Sequence, residues 1–206
     1  MIREVFRRAL FTYGRLTSRL GPTESPWERV AVEVPRMAFG AGCDRSFTDY
    51  LGGESTVEVF SIDAMTEWLL GCQYASDPEL FDAADVWQHP TAFEVRRRGD
   101  CEDFALWAWR KLAEMGLEAE LFVGRVLARQ TADRRHAWVV YADEGSEFLL
   151  EPAAGERRRM IRHLREVRDD YVPHFAVNHR GATSAFGGYV LDARAQERQG
   201  TVRSRS

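Results

Sequence analysis

Cys101 stands where a thiol could do chemistry. Gly99-Asp100 precede it, and a wholly apolar run, Phe104 to Trp109, follows it. Asp100 suits a helix N-cap and Asp103 the position three residues on, so the sequence predicts a helix that begins at Cys101. A thiol in the first turn faces the positive end of the helix dipole, which stabilises a thiolate and lowers the thiol pKa. Asp100, Glu102 and Asp103 work the other way, because adjacent negative charge disfavours a second anion. Helix position is therefore insufficient, and a base has to be brought to the sulfur.

His136 is the candidate base. It opens the stretch HAWVVYA, a strand pattern in which His136, Trp138 and Val140 share one face. The turn ADEGSE follows, and then LLEP. With Ala142 to Gly145 as a four-residue loop, Glu151 lies directly opposite His136. With Glu144-Gly145 as a two-residue turn, His136 faces Ala153 and Glu151 is its diagonal neighbour on the same face. Either register places a carboxylate on the imidazole's side of the sheet. A carboxylate that fixes the imidazole tautomer, and an imidazole that takes the thiol proton, make a cysteine nucleophile.

These groups need a scaffold. The clearest helix runs from Cys101 to Met115 with Gly116 as its C-cap, and being apolar on all sides for two turns it is predicted to be buried and central. Ala119–Leu127, His136–Ala142 and Glu147–Glu151 read as strands. Upstream, Ile2–Leu20 has helical spacing and stops at Gly21-Pro22, and Trp27–Phe39 holds a strand ended by Pro35. Val57–Phe60 reads as a short strand, and Ser61 as the N-cap of a helix over Ile62–Cys72. Asp77–Gly99 reads as irregular, Glu156–Val167 as one amphipathic helix, and Tyr189–Leu191 as the segment that closes the fold. The division that follows is residues 1–60 as a helix and elaboration packed on the core, 61–192 as the catalytic core, and 193–206 as a disordered tail without hydrophobic periodicity. The fold class is α+β, with a buried helix packed on an antiparallel sheet.

Four segments in this order, Asp85-x-Trp87-Gln88-x-Pro90, Gly99-Asp100-Cys101-Glu102-Asp103, His136-Ala-Trp-Val139 and Leu149-Leu-Glu151-Pro152, resemble the transglutaminase-like superfamily. They are most similar to its bacterial transglutaminase-like cysteine peptidases. The resemblance covers about Ile62 to Pro152 and implies a papain-like core with Cys101, His136 and Glu151 as catalytic triad. The family's acid is usually aspartate, and glutamate is one methylene longer. The resemblance also implies an oxyanion donor from the loop before the cysteine, at Gln88 or Trp87, beside the Cys101 N–H. For Trp87 a core-anchor role explains the residue equally well. Some members bind calcium through the acids that flank the cysteine, here Asp100 and Glu102. Two carboxylates are few for an ion that takes 6–8 oxygen ligands, so helix capping is the preferred role and no cofactor is expected.

Composition closes off other classes. In 206 residues the formal charge is −4, which gives no general attraction to nucleic acid or anionic lipid. No stretch is long and apolar enough to span a membrane, and no leader pattern is visible at the N-terminus. Lys111 is the sole lysine among 28 basic residues, which reads as compositional bias. Cys43, Cys72 and Cys101 are too scattered for a disulfide framework or a thiolate–metal site, and a reducing cytoplasm is the expected compartment. The other histidines, His89, His163, His174 and His179, have no partners at ligand spacing. The leading expectation is acyl transfer on peptide or amide bonds through a Cys101 thioester, with hydrolysis favoured over transamidation and a peptide or protein as substrate. The alternative is a catalytically silent domain of the same fold that binds a protein partner.

Overall fold

The computed structural model describes residues 23–127 and 135–203. The helix expected over Ile2–Leu20 lies outside them. β1 (Arg29–Ala31) is followed by a short 3-10 turn (Arg36–Ala38), α1 (Phe47–Leu51) and α2 (Ile62–Leu70). Next come β2 (Gln73–Tyr74), α3 (Asp77–Phe81), α4 (Pro90–Arg96) and β3 (Arg98–Gly99). The central helix α5 (Cys101–Glu114) leads into β4 (Ala119–Val126), β5 (Arg135–Asp143) and β6 (Ser146–Leu150). The remaining described elements are α6 (Arg157–Met160), β7 (Ile161–His163), α7 (Leu164–Val167), a 3-10 turn (Arg168–Asp170), β8 (Tyr171–Asn178), β9 (Thr183–Phe186) and α8 (Gly187–Arg203).

Seven strands form one antiparallel sheet in the order β1-β9-β8-β4-β5-β6-β7. Helix α5 lies across one face, and Phe104, Ala105, Leu106, Trp107, Ala108 and Trp109 are all buried there. A second apolar cluster on other residues of the sheet gathers Phe122, Trp138, Leu149 and Phe186 with Leu164 and Val167 of α7. The molecule is thus α+β, with the cysteine-bearing helix sandwiched between the sheet and α2 and α4.

The ends of the elements show why they stop where they do. Ser61 accepts from the Ala64 N–H at 3.1 Å and starts α2 as a side-chain cap. The β5–β6 hairpin pairs Asp143 with Ser146, and Glu144 and Gly145 take φ of 46° and 77°, the two left-handed positions of a two-residue turn. Of the two registers open to the sequence, this is the one that makes Glu151 the diagonal neighbour of His136.

Several expected elements differ. Val57–Phe60 forms no strand, because this loop is tied to buried groups of α4 and α5 instead. The single helix expected over Glu156–Val167 is broken at Ile161, where β7 leaves helical conformation to pair with β6. Tyr189–Leu191 is helical, and the backbone expected to be a disordered tail from residue 193 continues α8 to Arg203. The helix-favouring run Ala193-Arg194-Ala195-Gln196 accounts for that continuation without an apolar stripe.

The sole lysine has a structural role. Lys111 and Glu94 are each fully buried and lie 3.2 Å apart. Lys111 Nζ also donates to the Val57 carbonyl at 2.6 Å and to Glu114 at 2.8 Å, while Glu94 accepts from Ser55, the Thr56 N–H and the Trp107 indole. Burial opposes ionisation of Glu94, but these donors and the Lys111 charge hold it below the usual carboxylate range. Lys111→Ala is expected to cost about 3–5 kcal/mol of unfolding free energy in denaturant titrations, since it strands a buried carboxylate. A loss within the roughly 1 kcal/mol of exposed pairs would show that the ion pair is energetically idle.

Candidate active site

The N-terminus of α5 and the start of β5 open onto a common cleft of about 320 Å³. Cys101, His136, Trp87, Asp85, Glu102 and His174 are among the residues that line it. Cys101 is the first helical residue, half-buried, and the Asp103 carboxylate turns back to accept the Asp100 N–H at 3.3 Å. Gly99 is required by this closure. A Cβ there would sit 2.3 Å from Asp103 Oδ2 and 2.8 Å from Gln88 Nε2.

His136 is 2% exposed and Glu151 is 7% exposed, so their contact is shielded from water. His136 Nε2 meets Glu151 Oε1 at 2.6 Å and Oε2 at 2.8 Å, which places the ring proton on Nε2 and leaves Nδ1 as the free base. Nδ1 is buried and has no hydrogen-bond partner among the described residues. The Trp138 ring stacks on the imidazole with centroids 6.2 Å apart. The Ala137 backbone N–H, next to His136, faces the Cys101 sulfur. Cys101 and His136 thus line one cleft, and Glu151 is joined to it through His136.

It treats the two oxyanion candidates differently. Gln88 is turned away from the cleft: its amide donates to Asp103 and the Arg98 carbonyl and accepts from Arg96. Trp87 does line the cleft, with its indole N–H on Asp85 Oδ1 at 3.1 Å.

Of the two opposed effects on the thiol, the adjacent carboxylates prevail over the helix dipole. The Cys101 thiol donates to Glu102 Oε2 at 3.1 Å. Burial first, then Glu102 and Asp100, push this thiol well above its ordinary range. The carboxylates are themselves crowded. Burial and then Glu102 push Asp100 up to about 9, and burial chiefly pushes Glu102 and Asp103 each up to about 7. Asp77 is raised for the same reason.

Sequence reasoning saw two of these acids as metal candidates, and the structure assembles five. Oxygens of Asp77, Asp100 and Asp103 lie within 4.8 Å of one another, as do those of Asp77, Asp85 and Glu102. Asp77 Oδ1 and Asp100 Oδ1 are buried without a hydrogen-bond partner among the described residues. Asp85 heads the very motif that carries Trp87, which was the available signal; Asp77 offered none. His174 was also passed over. It lines the cleft with Nε2 on Asp192 Oδ2 at 2.9 Å, and Asp192 is also bound by Arg125 at 2.6 Å.

The chain is similar to several known proteins. Legionella pneumophila LapG, in an EGTA-treated form, is 22% identical with a TM-score of 0.44, covering 63% of this chain and 67% of that one. A calcium-bound form of the same protein is 18% identical with a TM-score of 0.45, covering 85% and 87%. A transglutaminase (TGase) structure is 14% identical with a TM-score of 0.34, covering 70% and 38%. No curated protein matches the chain. The sequence model of the bacterial transglutaminase-like cysteine proteinases matches residues 67–172, just over half of the 206, and spans all four motifs. This chain belongs to the family of bacterial transglutaminase-like cysteine proteinases.

Proposed function

We propose that this protein is a cysteine peptidase in which Cys101 is the nucleophile, His136 the base and Glu151 the orienting acid. The observation that carries the reading is the division of labour on one imidazole: Nε2 is held by Glu151, and Nδ1 is left unpartnered in the cleft that Cys101 lines. His136 Nδ1 takes the thiol proton, and the sulfur attacks the scissile carbonyl carbon. The Cys101 N–H at the helix N-terminus stabilises the resulting oxyanion, with the Trp87 indole N–H as second donor once it turns from Asp85. The C–N bond breaks as His136 returns its proton to the leaving amine, giving a thioester. Water then adds to the thioester carbonyl as His136 accepts its proton, and release of the carboxylic acid restores the thiol. An amine in place of that water would give transamidation; hydrolysis is the favoured outcome.

The acidic cluster fits a hard divalent cation. Its donors are oxygens, two of them buried and unpartnered, and calcium takes 6–8 oxygens from carboxylates, carbonyls and water. Asp77, Asp85, Asp100 and Glu102 would hold the ion, with Asp103 supporting them. Calcium bound there supplies positive charge that offsets the carboxylates' repulsion of a thiolate. The cytoplasmic compartment stays part of this proposal on cysteine usage, all three cysteines being free. No described helix is long and apolar enough to cross a membrane. The calcium affinity tests the compartment, since a dissociation constant of about 10⁻⁴–10⁻³ M is the extracellular range and about 10⁻⁷–10⁻⁵ M that of intracellular sensors.

The test is intact-protein mass spectrometry on protein mixed with unfolded polypeptide substrates and calcium, with and without a primary amine. New peptide termini, and a trapped acyl adduct on Cys101 at short times, are expected. Amine incorporation in preference to new termini would make transamidation the activity. Tight binding of a polypeptide with neither product would favour the silent binding domain.

A further inference from the structure

We infer that Tyr171 is a positioning residue that holds Glu151 in place for His136, with Arg162 anchoring the phenol; the inference rests on the triad reading above. Glutamate brings one more rotatable bond than the aspartate usual at this position, so a single contact to His136 fixes its carboxylate poorly. A second contact is present. Tyr171 Oη lies 3.0 Å from Glu151 Oε2, and Arg162 Nη2 lies 3.2 Å from the same Oη.

The direction of these bonds follows from valence. A guanidinium only donates, so the phenol oxygen accepts from Arg162 and its single proton points to the carboxylate. Glu151 Oε2 is therefore shared between the imidazole N–H and the phenol O–H, which sets the plane of the carboxylate from two sides. The three groups come from successive elements of one stretch of chain: Glu151 follows β6, Arg162 sits on β7 and Tyr171 begins β8. Packing locks them together. Tyr171 is 3% exposed and its ring lies 5.1 Å from that of Trp138, the residue stacked on His136. A contact serving only to bury a phenol would not need its hydroxyl on the acid of the site.

The test uses the full chain in millimolar calcium. It reads the rate of Cys101 alkylation by iodoacetamide at pH 7, the downfield Nε2 proton resonance of His136 in histidine-labelled protein, and the thermal midpoint. Tyr171→Phe is expected to slow alkylation about tenfold, the scale of one hydrogen bond to a charged group, and to shift or broaden the Nε2 resonance. Arg162→Met, which leaves Tyr171 in place, is expected to move both readouts in the same direction by less. In a Glu151→Gln background Tyr171→Phe is expected to add little. A drop in thermal midpoint with wild-type alkylation and an unmoved resonance, in both variants, would reduce Tyr171 to a structural contact and overturn the inference. His136→Ala separates the two readings. If it alkylates like the wild type, the triad falls and this inference with it. If it is slow while Tyr171→Phe matches the wild type, only the role of Tyr171 falls.

Discussion

Cys101→Ala is expected to abolish peptide turnover and His136→Ala to lower it by about four orders of magnitude or more, while the double variant should lose little beyond either single one. That pattern is expected because the sulfur and the imidazole act as one unit. Without His136, the thiol keeps its hydrogen bond to Glu102, and a carboxylate beside a thiol holds the proton on the sulfur. Without Cys101, no other thiol can substitute: Cys43 is buried with its thiol pushed to about 12 by burial, and Cys72 is pushed to about 11 for the same reason. Cys101→Ala is expected to keep its thermal midpoint, since its half-buried thiol gives up one contact to an anion. His136→Ala is expected to lose stability, because it leaves the buried Glu151 with Tyr171 in place of two partners. Initial rates and thermal melts on the same preparations separate the effects. A folded His136→Ala protein that retains about a tenth of wild-type turnover would remove His136 from the role of base, because general-base catalysis is worth about 10²–10⁴.

The parts of this site legible in the sequence are those fixed by local rules. The helix start at Cys101 follows from a glycine that cannot carry a Cβ, an N-cap aspartate and an acceptor three residues on. The His136–Glu151 pairing follows from the period of two along a hairpin and from a Glu-Gly turn. Strands β8 and β9 were not legible because β8 is buried nearly throughout, with a proline at its third position, so no alternation marks it. The break between α6 and α7 was missed because 156–167 has helical spacing, and only the edge of β6 overrides it. Tyr171 and Asp77 meet the site through tertiary packing, and nothing near them in the chain announces it. For the thiol, local reasoning gave two opposed effects, and burial decides between them. A helix N-terminus favours a thiolate within the first turn, but burial, Glu102 and Asp100 outweigh about half a unit of helix-end charge.

That imbalance sets the second large effect. Removing calcium is expected to slow both turnover and Cys101 alkylation by tenfold or more, as about one pK unit of lost thiolate stabilisation requires. The sign of the accompanying stability change can be worked out. Asp100 at about 9 and Glu102 and Asp103 at about 7 all stand above their ordinary values near 4. Between those limits the folded chain binds more protons than the unfolded one, so without a cation its stability falls as pH rises from about 4 to 9. A divalent ion binds the ionised cluster and reverses the trend. At a hundredfold excess over its dissociation constant it adds about 2.7 kcal/mol. For a chain of this size that is a rise of roughly 5–10 °C in thermal midpoint. The gain should be largest at pH 8 and vanish near pH 5, where protons occupy the same oxygens. Asp100→Asn discriminates further. It replaces a carboxylate that must take up a proton on folding by a neutral amide, so the calcium-free protein should become more stable at pH 8 while losing its response to calcium. Identical melting curves in calcium and in chelator at pH 8, with unchanged alkylation of Cys101, would mean that the five carboxylates manage their repulsion by sharing protons and that no cation completes the site.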